Sequence, residues 1–228
     1  MRELFCNEME FVYDERALLE RLHCEDTEAE PFVRALELLE EARPYLKPAF
    51  AVREFSIDKH QSEGITVNGC FFKSKIVAKK LENEKKVFAY IATSGRKICE
   101  FAKRHDDLLD EYLLDQIAYL SYLQAMDKMS LEIENLFGIE KHIRLCPGSV
   151  IDWSVEEVKK IFVLMEGLYQ DLDVNVMASG LIEPLKSTSG LFYATDEEFA
   201  SCEICPRAVC ESRKAPFDGD LHDEMVNL

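Results

Sequence analysis

The sequence predicts an α+β protein: a single domain with a mixed or antiparallel sheet, flanking helices, one long central helix and an N-terminal helical extension. Apolar residues recur three or four positions apart between about residues 108 and 137, which predicts a long helix that ends at Gly138. Strand-like and helical stretches alternate without the regular rhythm of βαβ units. No internal repeat and no clear linker divides the chain.

The first part of the chain is predicted to form two short helices and then a sheet. Asp14 is placed to cap the first helix, and Pro31 lies in the first turn of the second. Asn68-Gly69 predicts a kink or bulge within a strand, and Ser74 is placed to cap a further helix. The strands predicted in this part cover residues 50–57, 65–72 and 87–92.

The second part is predicted to contain one more amphipathic helix among short extended segments. Ser154 is placed to cap that helix, and the residues after Phe217 are expected to form a polar, acidic and loosely held tail. The expected extended segments cover residues 139–145, 174–177, 181–182 and 191–194. We divide the chain into an N-terminal extension (1–48), a core (49–200) and a tail (201–228).

Composition limits the classes of partner. Acidic residues outnumber basic ones by 44 to 27 among 228 residues, which gives a formal net charge of −17. Such a surface repels nucleic acid and anionic membranes, so neither is an expected partner. No apolar run is long enough to cross a bilayer, and the N-terminus lacks the apolar core of a signal peptide. We therefore expect a cytoplasmic protein whose eight cysteines are reduced.

Two segments are candidates for ligand binding. Arg144-Leu-Cys-Pro-Gly-Ser149 places a guanidinium, which can grip a carboxylate or stack on an adenine, beside a tight Pro-Gly bend. Lys186-Ser-Thr-Ser-Gly-Leu191 is expected to form a turn of small residues that another molecule could approach closely. The alternative is that Arg144 pairs with a surface carboxylate and that the bend is only a turn.

These motifs, with the helix from Ser154 between them, resemble the activation domain of cobalamin-dependent methionine synthase over roughly residues 50–194. The resemblance implies that the chain binds S-adenosylmethionine. Ser149 departs from the family pattern, which has a tyrosine there. The cofactor-binding residues that we assign from the resemblance are Arg144, Pro147, Gly148, Ser149, Ser189, Gly190 and Tyr193.

The resemblance also implies a partner and a role. The partner would be a corrinoid-binding methyltransferase or a short methionine synthase that carries cobalamin, and the chain would support its reductive reactivation together with an electron donor. The work would be mainly orientation, and we assign no catalytic residue. The family uses an acidic side chain from an earlier element, for which Asp115, Glu132 and Glu134 are candidates.

A cysteine cluster follows the core. Cys202, Cys205 and Cys210 have a C-x2-C-x4-C spacing that could hold zinc or an iron–sulfur cluster, with Cys146, Cys99 or His222 as a fourth ligand. The alternative is a set of reduced thiols or a redox-labile pair. Such a tail resembles those of stand-alone relatives of the activation domain. An alternative function is therefore a metal or iron–sulfur electron-transfer module that acts on a corrinoid protein without methyl transfer. A third is a corrinoid-protein binding module without a ligand of its own.

Overall fold

A seven-stranded sheet organises the protein, in a computed structural model that describes residues 2–7, 9–210 and 213–227. Its strands are β1 (Glu3–Cys6), β2 (Ala49–Gln61), β3 (Gly64–Val67), β4 (Cys70–Lys73), β5 (Lys86–Thr93), β6 (His142–Leu145) and β9 (Ser187–Ala194). The order is β4-β3-β2-β5-β9-β6, and β1 pairs with β2 beside β3. Every pairing in this sheet is antiparallel. Strands β7 (Asn175–Val176) and β8 (Ile182–Glu183) form a separate ribbon.

The helices lie on both faces of the sheet. They are α1 (Glu15–Leu22), α2 (Glu30–Ala42), α3 (Lys75–Lys80), α4 (Arg96–Ala102), α5 (Leu108–Phe137), α6 (Val158–Leu164), α7 (Leu168–Asp171) and α8 (Gly219–Val226). The α+β prediction is confirmed. Within the three described ranges, none of these helices has the length and apolarity that a bilayer crossing requires.

The long helix α5 has the predicted bounds. The Asp107 carboxylate caps it by accepting the N–H groups of Leu109 at 2.8 Å and Asp110 at 3.2 Å. Gly138 ends it in the left-handed region, at φ 69°, and donates its N–H to the carbonyl of Glu134. With 30 residues, α5 is long enough to contact two different apolar clusters.

The second half of α5 packs on one face of the sheet. Ala125, Met126, Met129 and Ile133 contact side chains that alternate along the strands. The strand residues in this cluster include Phe50, Val52, Phe88, Tyr90, Ala92 and Phe192. We call this surface the α5 face of the sheet.

The opposite face packs on α3, α6 and the C-terminal segment. Ala89, Ile91, Leu191 and Tyr193 point to this side, where Ile76, Ile161 and Trp153 also lie. We call this surface the α6 face. A side chain at the edge of the sheet therefore faces one of two different environments, according to its position in the strand.

The sequence predicts a helical N-terminal extension, but this segment also contains a strand. Its first strand, β1, pairs with β2, and its two helices then pack with α4 and the first half of α5 in a shared apolar cluster around Phe32, Leu38 and Leu114. The sequence prediction missed β1 because a four-residue edge strand carries too short a pattern to show alternation.

Asn68-Gly69 is a hairpin turn between two strands, and not a kink within one. Both residues have positive φ, 46° and 76°, as a two-residue turn that matches the strand twist requires. Strand β3 therefore ends at Val67, and β4 returns antiparallel to it from Cys70.

The sequence predicts a loosely held C-terminal tail, and this prediction is wrong. Residues 219–226 form α8, capped by the Asp218 side chain, and Met225 is buried in the cluster of the α6 face. Ile204 is fully buried in the same cluster. These apolar residues fasten the C-terminal segment to the core although its composition is polar.

Candidate functional site: a cleft at the β6 edge

Arg144 lies on β6, at the edge of the main sheet. It pairs directly with Phe192 of β9, so the two side chains point to the same side, the α5 face. Ile143 and Leu145, one position away on either side, point into the core of the α6 face. The alternation along β6 therefore directs the guanidinium toward α5.

A cleft of about 530 Å³ opens between α5 and this edge of the sheet. Its volume lies within the range of small-molecule sites. The helix contributes three side chains of the Tyr119-x-x-Tyr122-Leu123 stretch and Met126, and the sheet contributes the floor. The remaining lining residues are Tyr90, His142, Ile143, Arg144, Cys146, Leu185, Lys186, Ser187, Thr188, Phe199, Ala200, Ser201, Cys202 and Lys214.

One nitrogen of the Arg144 guanidinium has no hydrogen-bond partner among the residues that the structure describes. Its Nη1 atom is buried and makes no hydrogen bond, and within the described residues no carboxylate pairs with Arg144. The alternative prediction of a surface ion pair is therefore wrong for the described part of the chain. A buried, charged donor without an acceptor is costly, so Arg144 is the candidate in this cleft for contact with a ligand.

The charge of Arg144 also affects its neighbours. Burial, and then the positive charge of Arg144, lower the pKa of His142 to about 4, so this imidazole is neutral at physiological pH. Burial raises the pKa of Tyr122 to about 12 and the pKa of Tyr90 well above its usual value. Both phenols therefore stay protonated and can donate hydrogen bonds.

Gly190 allows β6, β9 and the Tyr90 ring to pack closely beside the cleft. It pairs with Tyr90 across β5 and β9, and Tyr90 in turn has its hydroxyl 3.0 Å from Sγ of Cys146. A Cβ atom at position 190 would lie 2.4 Å from the carbonyl oxygen of Leu145 and 3.1 Å from both Cys146 Sγ and the Tyr90 ring. The absence of a Cβ atom at position 190 thus allows these protein groups to pack closely.

Ser189 and Tyr193 lie on the other side of the sheet. Both pack in the α6 face cluster or beside it, and both hydroxyl groups are buried with no hydrogen-bond partner in the described part of the chain. Residues 187–190 are part of β9, and not the turn that the sequence predicts. The structure therefore separates these two side chains from Arg144.

The Pro-Gly bend lies beside the cleft and does not line it. Gly148, at φ 82°, donates its N–H to the carbonyl of Trp153 at 2.7 Å, and the Ser149 hydroxyl donates to the carbonyl of Cys146 at 2.9 Å. Pro147 and Trp153 are buried. Since the bend closes on the segment before α6, it fixes where β6 ends and supports the position of Arg144.

None of the acidic candidates lines the cleft. Asp115 pairs with Lys186 at 2.8 Å, Glu132 pairs with Lys128 at 2.6 Å, and Glu134 is exposed. Asp115 comes nearest, because Lys186 is itself a lining residue.

The tail cysteines do not form a metal centre in the described ranges, where no group of three or more His, Cys, Asp or Glu side chains is arranged to hold an ion. The Sγ of Cys202 instead accepts the N–H of Lys214 at 3.4 Å. All three expected fourth ligands also have other partners: Cys146 contacts Tyr90, Sγ of Cys99 lies 3.8 Å from the Ser94 hydroxyl, and Nδ1 of His222 lies 2.8 Å from the carbonyl of Ile204. The predicted zinc or iron–sulfur site is not confirmed.

The arginine of the tail organises this segment. The Arg213 guanidinium donates to the carbonyls of Cys202 at 2.8 Å and Cys205 at 3.2 Å, and also to that of Arg207. These hydrogen bonds position Cys202 and Lys214 at the cleft. Sequence reasoning missed Tyr119, Tyr122 and Lys214 as lining residues, although the Tyr-x-x-Tyr spacing places both rings on one side of a helix.

The fold and the cleft define an α+β protein with a ligand-sized cavity at the edge of an antiparallel sheet. No family model matches the sequence, and no curated protein matches it. A solved structure with a similar fold is the crystal structure of the MetH reactivation domain bound to AdoHcy, S-adenosylhomocysteine. The TM-score is 0.60 at 15% sequence identity, and the match covers 87% of this chain and 80% of that one. The two proteins share their fold.

Proposed function

We propose that this protein binds S-adenosylmethionine, or its demethylated form S-adenosylhomocysteine, in the cleft at Arg144. The observation that carries the proposal is the buried Nη1 of Arg144, which has no partner within residues 2–7, 9–210 and 213–227 and lies at a cavity of about 530 Å³. The fold of the MetH reactivation domain, which was crystallised with AdoHcy, supports the choice of ligand.

The lining residues fit such a ligand. A planar guanidinium can bind the ligand's carboxylate with two parallel hydrogen bonds. The rings of Tyr119 and Tyr122, whose centroids are 5.8 Å apart, offer apolar surface to an adenine. Of the residues assigned from the sequence, Arg144 is the proposed ligand contact, while Pro147, Gly148, Ser149 and Gly190 support its position.

We extend the proposal to a partner. The protein would dock on a corrinoid-binding methyltransferase or a short methionine synthase and support reductive reactivation of its cobalamin. S-adenosylmethionine would supply the methyl group that traps the reduced cobalt, and an external donor would supply the electron. The residues of this chain would hold and orient the ligand, which requires no nucleophile or general base.

The alternative, a metal or iron–sulfur module that acts on a corrinoid protein without methyl transfer, gains no support from the described residues. Cys202 and Cys146 both line the cleft, but each already has a hydrogen-bond partner in the protein. We therefore favour the nucleoside-binding function.

Replacing Arg144 with glutamine tests the proposed site. The substitution removes the charge that would hold the carboxylate, so we expect affinity for S-adenosylmethionine and S-adenosylhomocysteine to fall roughly thirtyfold. Isothermal titration calorimetry measures both affinities. Since Nη1 of Arg144 is a buried, charged donor with no partner among the described residues, its removal should leave the free energy of unfolding unchanged or raise it by about 1 kcal/mol.

The matched control is Arg16→Gln, which removes the same charge from an exposed side chain on α1 that pairs with Glu20. We expect this variant to bind like the wild type. Unchanged affinity of the Arg144 variant, with the fold intact, would contradict the proposal.

A further inference from the structure

Cys202 and Cys205 lie at the two ends of one tight turn. The N–H of Cys205 donates to the carbonyl of Cys202 at 3.3 Å, which closes the turn. A turn of this kind brings its end Cα atoms within about 7 Å of each other, and disulfide bonds usually span Cα separations of about 4.4 to 6.8 Å. The main chain therefore holds the two cysteines at a separation that suits a disulfide bond.

One guanidinium binds both ends of this turn. Arg213 donates to the carbonyl of Cys202 at 2.8 Å and to the carbonyl of Cys205 at 3.2 Å. Since a guanidinium is planar and its donors have fixed directions, these hydrogen bonds fix the two carbonyls relative to each other. The distance between the two cysteines is thus set before any bond forms between their sulfur atoms.

The middle of the turn is anchored as well. The N–H of Asp218 donates to the carbonyl of Glu203 at 2.8 Å, and Nδ1 of His222 lies 2.8 Å from the carbonyl of Ile204. The Ile204 side chain is fully buried in the cluster of the α6 face. All four carbonyls from position 202 to position 205 therefore have partners in the C-terminal segment. Ordering two thiols costs conformational entropy, and the fold has ordered these two already.

A small molecule can reach the first of the two sulfur atoms. Cys202 lines the cleft at the β6 edge, and both Cys202 and Cys205 are partly exposed. The N–H of Lys214 donates to Sγ of Cys202 at 3.4 Å, which helps to fix the direction of this side chain. The pair thus combines a preformed geometry with access from solution, as a reversible disulfide requires.

We propose that Cys202 and Cys205 form a reversible disulfide by exchange with a low-molecular-weight disulfide such as glutathione disulfide. Cys202 gives up its proton and its sulfur attacks the incoming disulfide, whose sulfur–sulfur bond breaks and releases one thiol. Cys205 then gives up its proton and attacks the mixed disulfide, and the second thiol leaves. The two cysteines lose two electrons and two protons in total, and the incoming disulfide takes up both.

This chemistry goes beyond nucleoside binding and does not depend on which ligand the cleft binds. A dithiol exchanges electrons in pairs, whereas an iron–sulfur cluster would pass them singly. In a reducing compartment the pair would stay a dithiol, and it would close when the surrounding thiol pool becomes oxidised. The state of the turn would therefore follow the redox poise of its surroundings.

Peptide mapping of the full-length protein tests the proposal. The protein is equilibrated in buffers of reduced and oxidised glutathione, its free thiols are alkylated, and it is digested with trypsin. Trypsin cleaves after Lys186 and Arg207, so one peptide contains both cysteines of the turn, while Cys210 falls on the next peptide. We expect the first peptide to be unalkylated and two hydrogen atoms lighter in the oxidising buffers. It should carry two alkyl groups in reduced glutathione alone.

Three results of this mapping would overturn the proposal. The first is alkylation of both cysteines in every buffer, which would mean that no disulfide forms. The second is a disulfide that joins this peptide to the one with Cys210. The third is glutathione retained on Cys202 in the wild type, because the second thiol would then be out of reach.

Two variants test the roles of the pair and of Arg213. Cys205→Ser should accumulate glutathione on Cys202, because nothing remains to resolve the mixed disulfide, whereas Cys210→Ser should form the disulfide like the wild type. Arg213→Gln keeps both thiols but loses the bonds to their carbonyls, so the equilibrium constant for disulfide formation should fall about tenfold. Arg16→Gln, on the exposed side of α1, should leave this constant unchanged. Equal constants for the two arginine variants would contradict the role of the preformed turn.

Discussion

Ending the chain after Glu198 should lower the free energy of unfolding by about 5 kcal/mol, because the removed segment completes the core of the α6 face. Ile204 is fully buried there, and Met225 is 8% exposed. Phe199 and Leu221 pack against the same cluster. Without these side chains, the apolar surface of α6 and the sheet would be exposed to water. Urea unfolding followed by circular dichroism measures the loss.

Two point substitutions within the segment control for the length of the chain. Ile204→Ala removes a buried side chain and should cost about 3 kcal/mol. Val209→Ala removes a side chain that is 84% exposed, and should change the free energy of unfolding by less than about 0.5 kcal/mol. Equal midpoints for these two variants would show that the segment does not belong to the core. The truncated chain also tests whether residues 201–228 are a separable tail.

Gly190→Ala should destabilise the protein by about 3 kcal/mol through overpacking. The added Cβ would lie 2.4 Å from the carbonyl oxygen of Leu145, which is backbone and cannot rotate away. Relief requires β6 and β9 to move apart, and this movement would carry Arg144 with it. We therefore expect ligand affinity to fall together with stability, measured by urea unfolding and by calorimetric titration.

Gly219→Ala is the matched control for Gly190→Ala. Its Cβ would meet only the Phe217 ring, at 3.8 Å, and position 219 begins α8, where alanine favours the helix. This variant should be as stable as the wild type or slightly more stable. If Gly190→Ala were equally harmless, the close approach of β6, β9 and Tyr90 would not be as described.

The sequence predicts best the structural features that a few neighbouring residues determine. The 30-residue helix α5 was predicted from its apolar spacing and from Gly138, and Asp14 and Ser74 cap the predicted helices. Arg144 was singled out because of the Pro-Gly bend beside it, and it does line a cleft. Each of these signals is contained in a few neighbouring residues.

The features that sequence reasoning missed depend on distant parts of the chain. Ser189 and Gly190 are adjacent in sequence, but which of them shares a face with Arg144 depends on the register between β6 and β9. The composition of the tail is polar, but a few apolar residues, including Ile204 and Met225, pack it against the α6 face. That surface is formed by residues far away in the sequence. The hairpin at Asn68-Gly69 was misread although its signal is local.

The most direct test of the Arg144 site is an electron-density map of crystals grown with S-adenosylhomocysteine. We predict density for the nucleoside in the cleft between α5 and β6, with its carboxylate on the Arg144 guanidinium and its adenine against Tyr119 or Tyr122. Density for the ligand elsewhere, with Arg144 paired to a protein carboxylate, would contradict this account of the site.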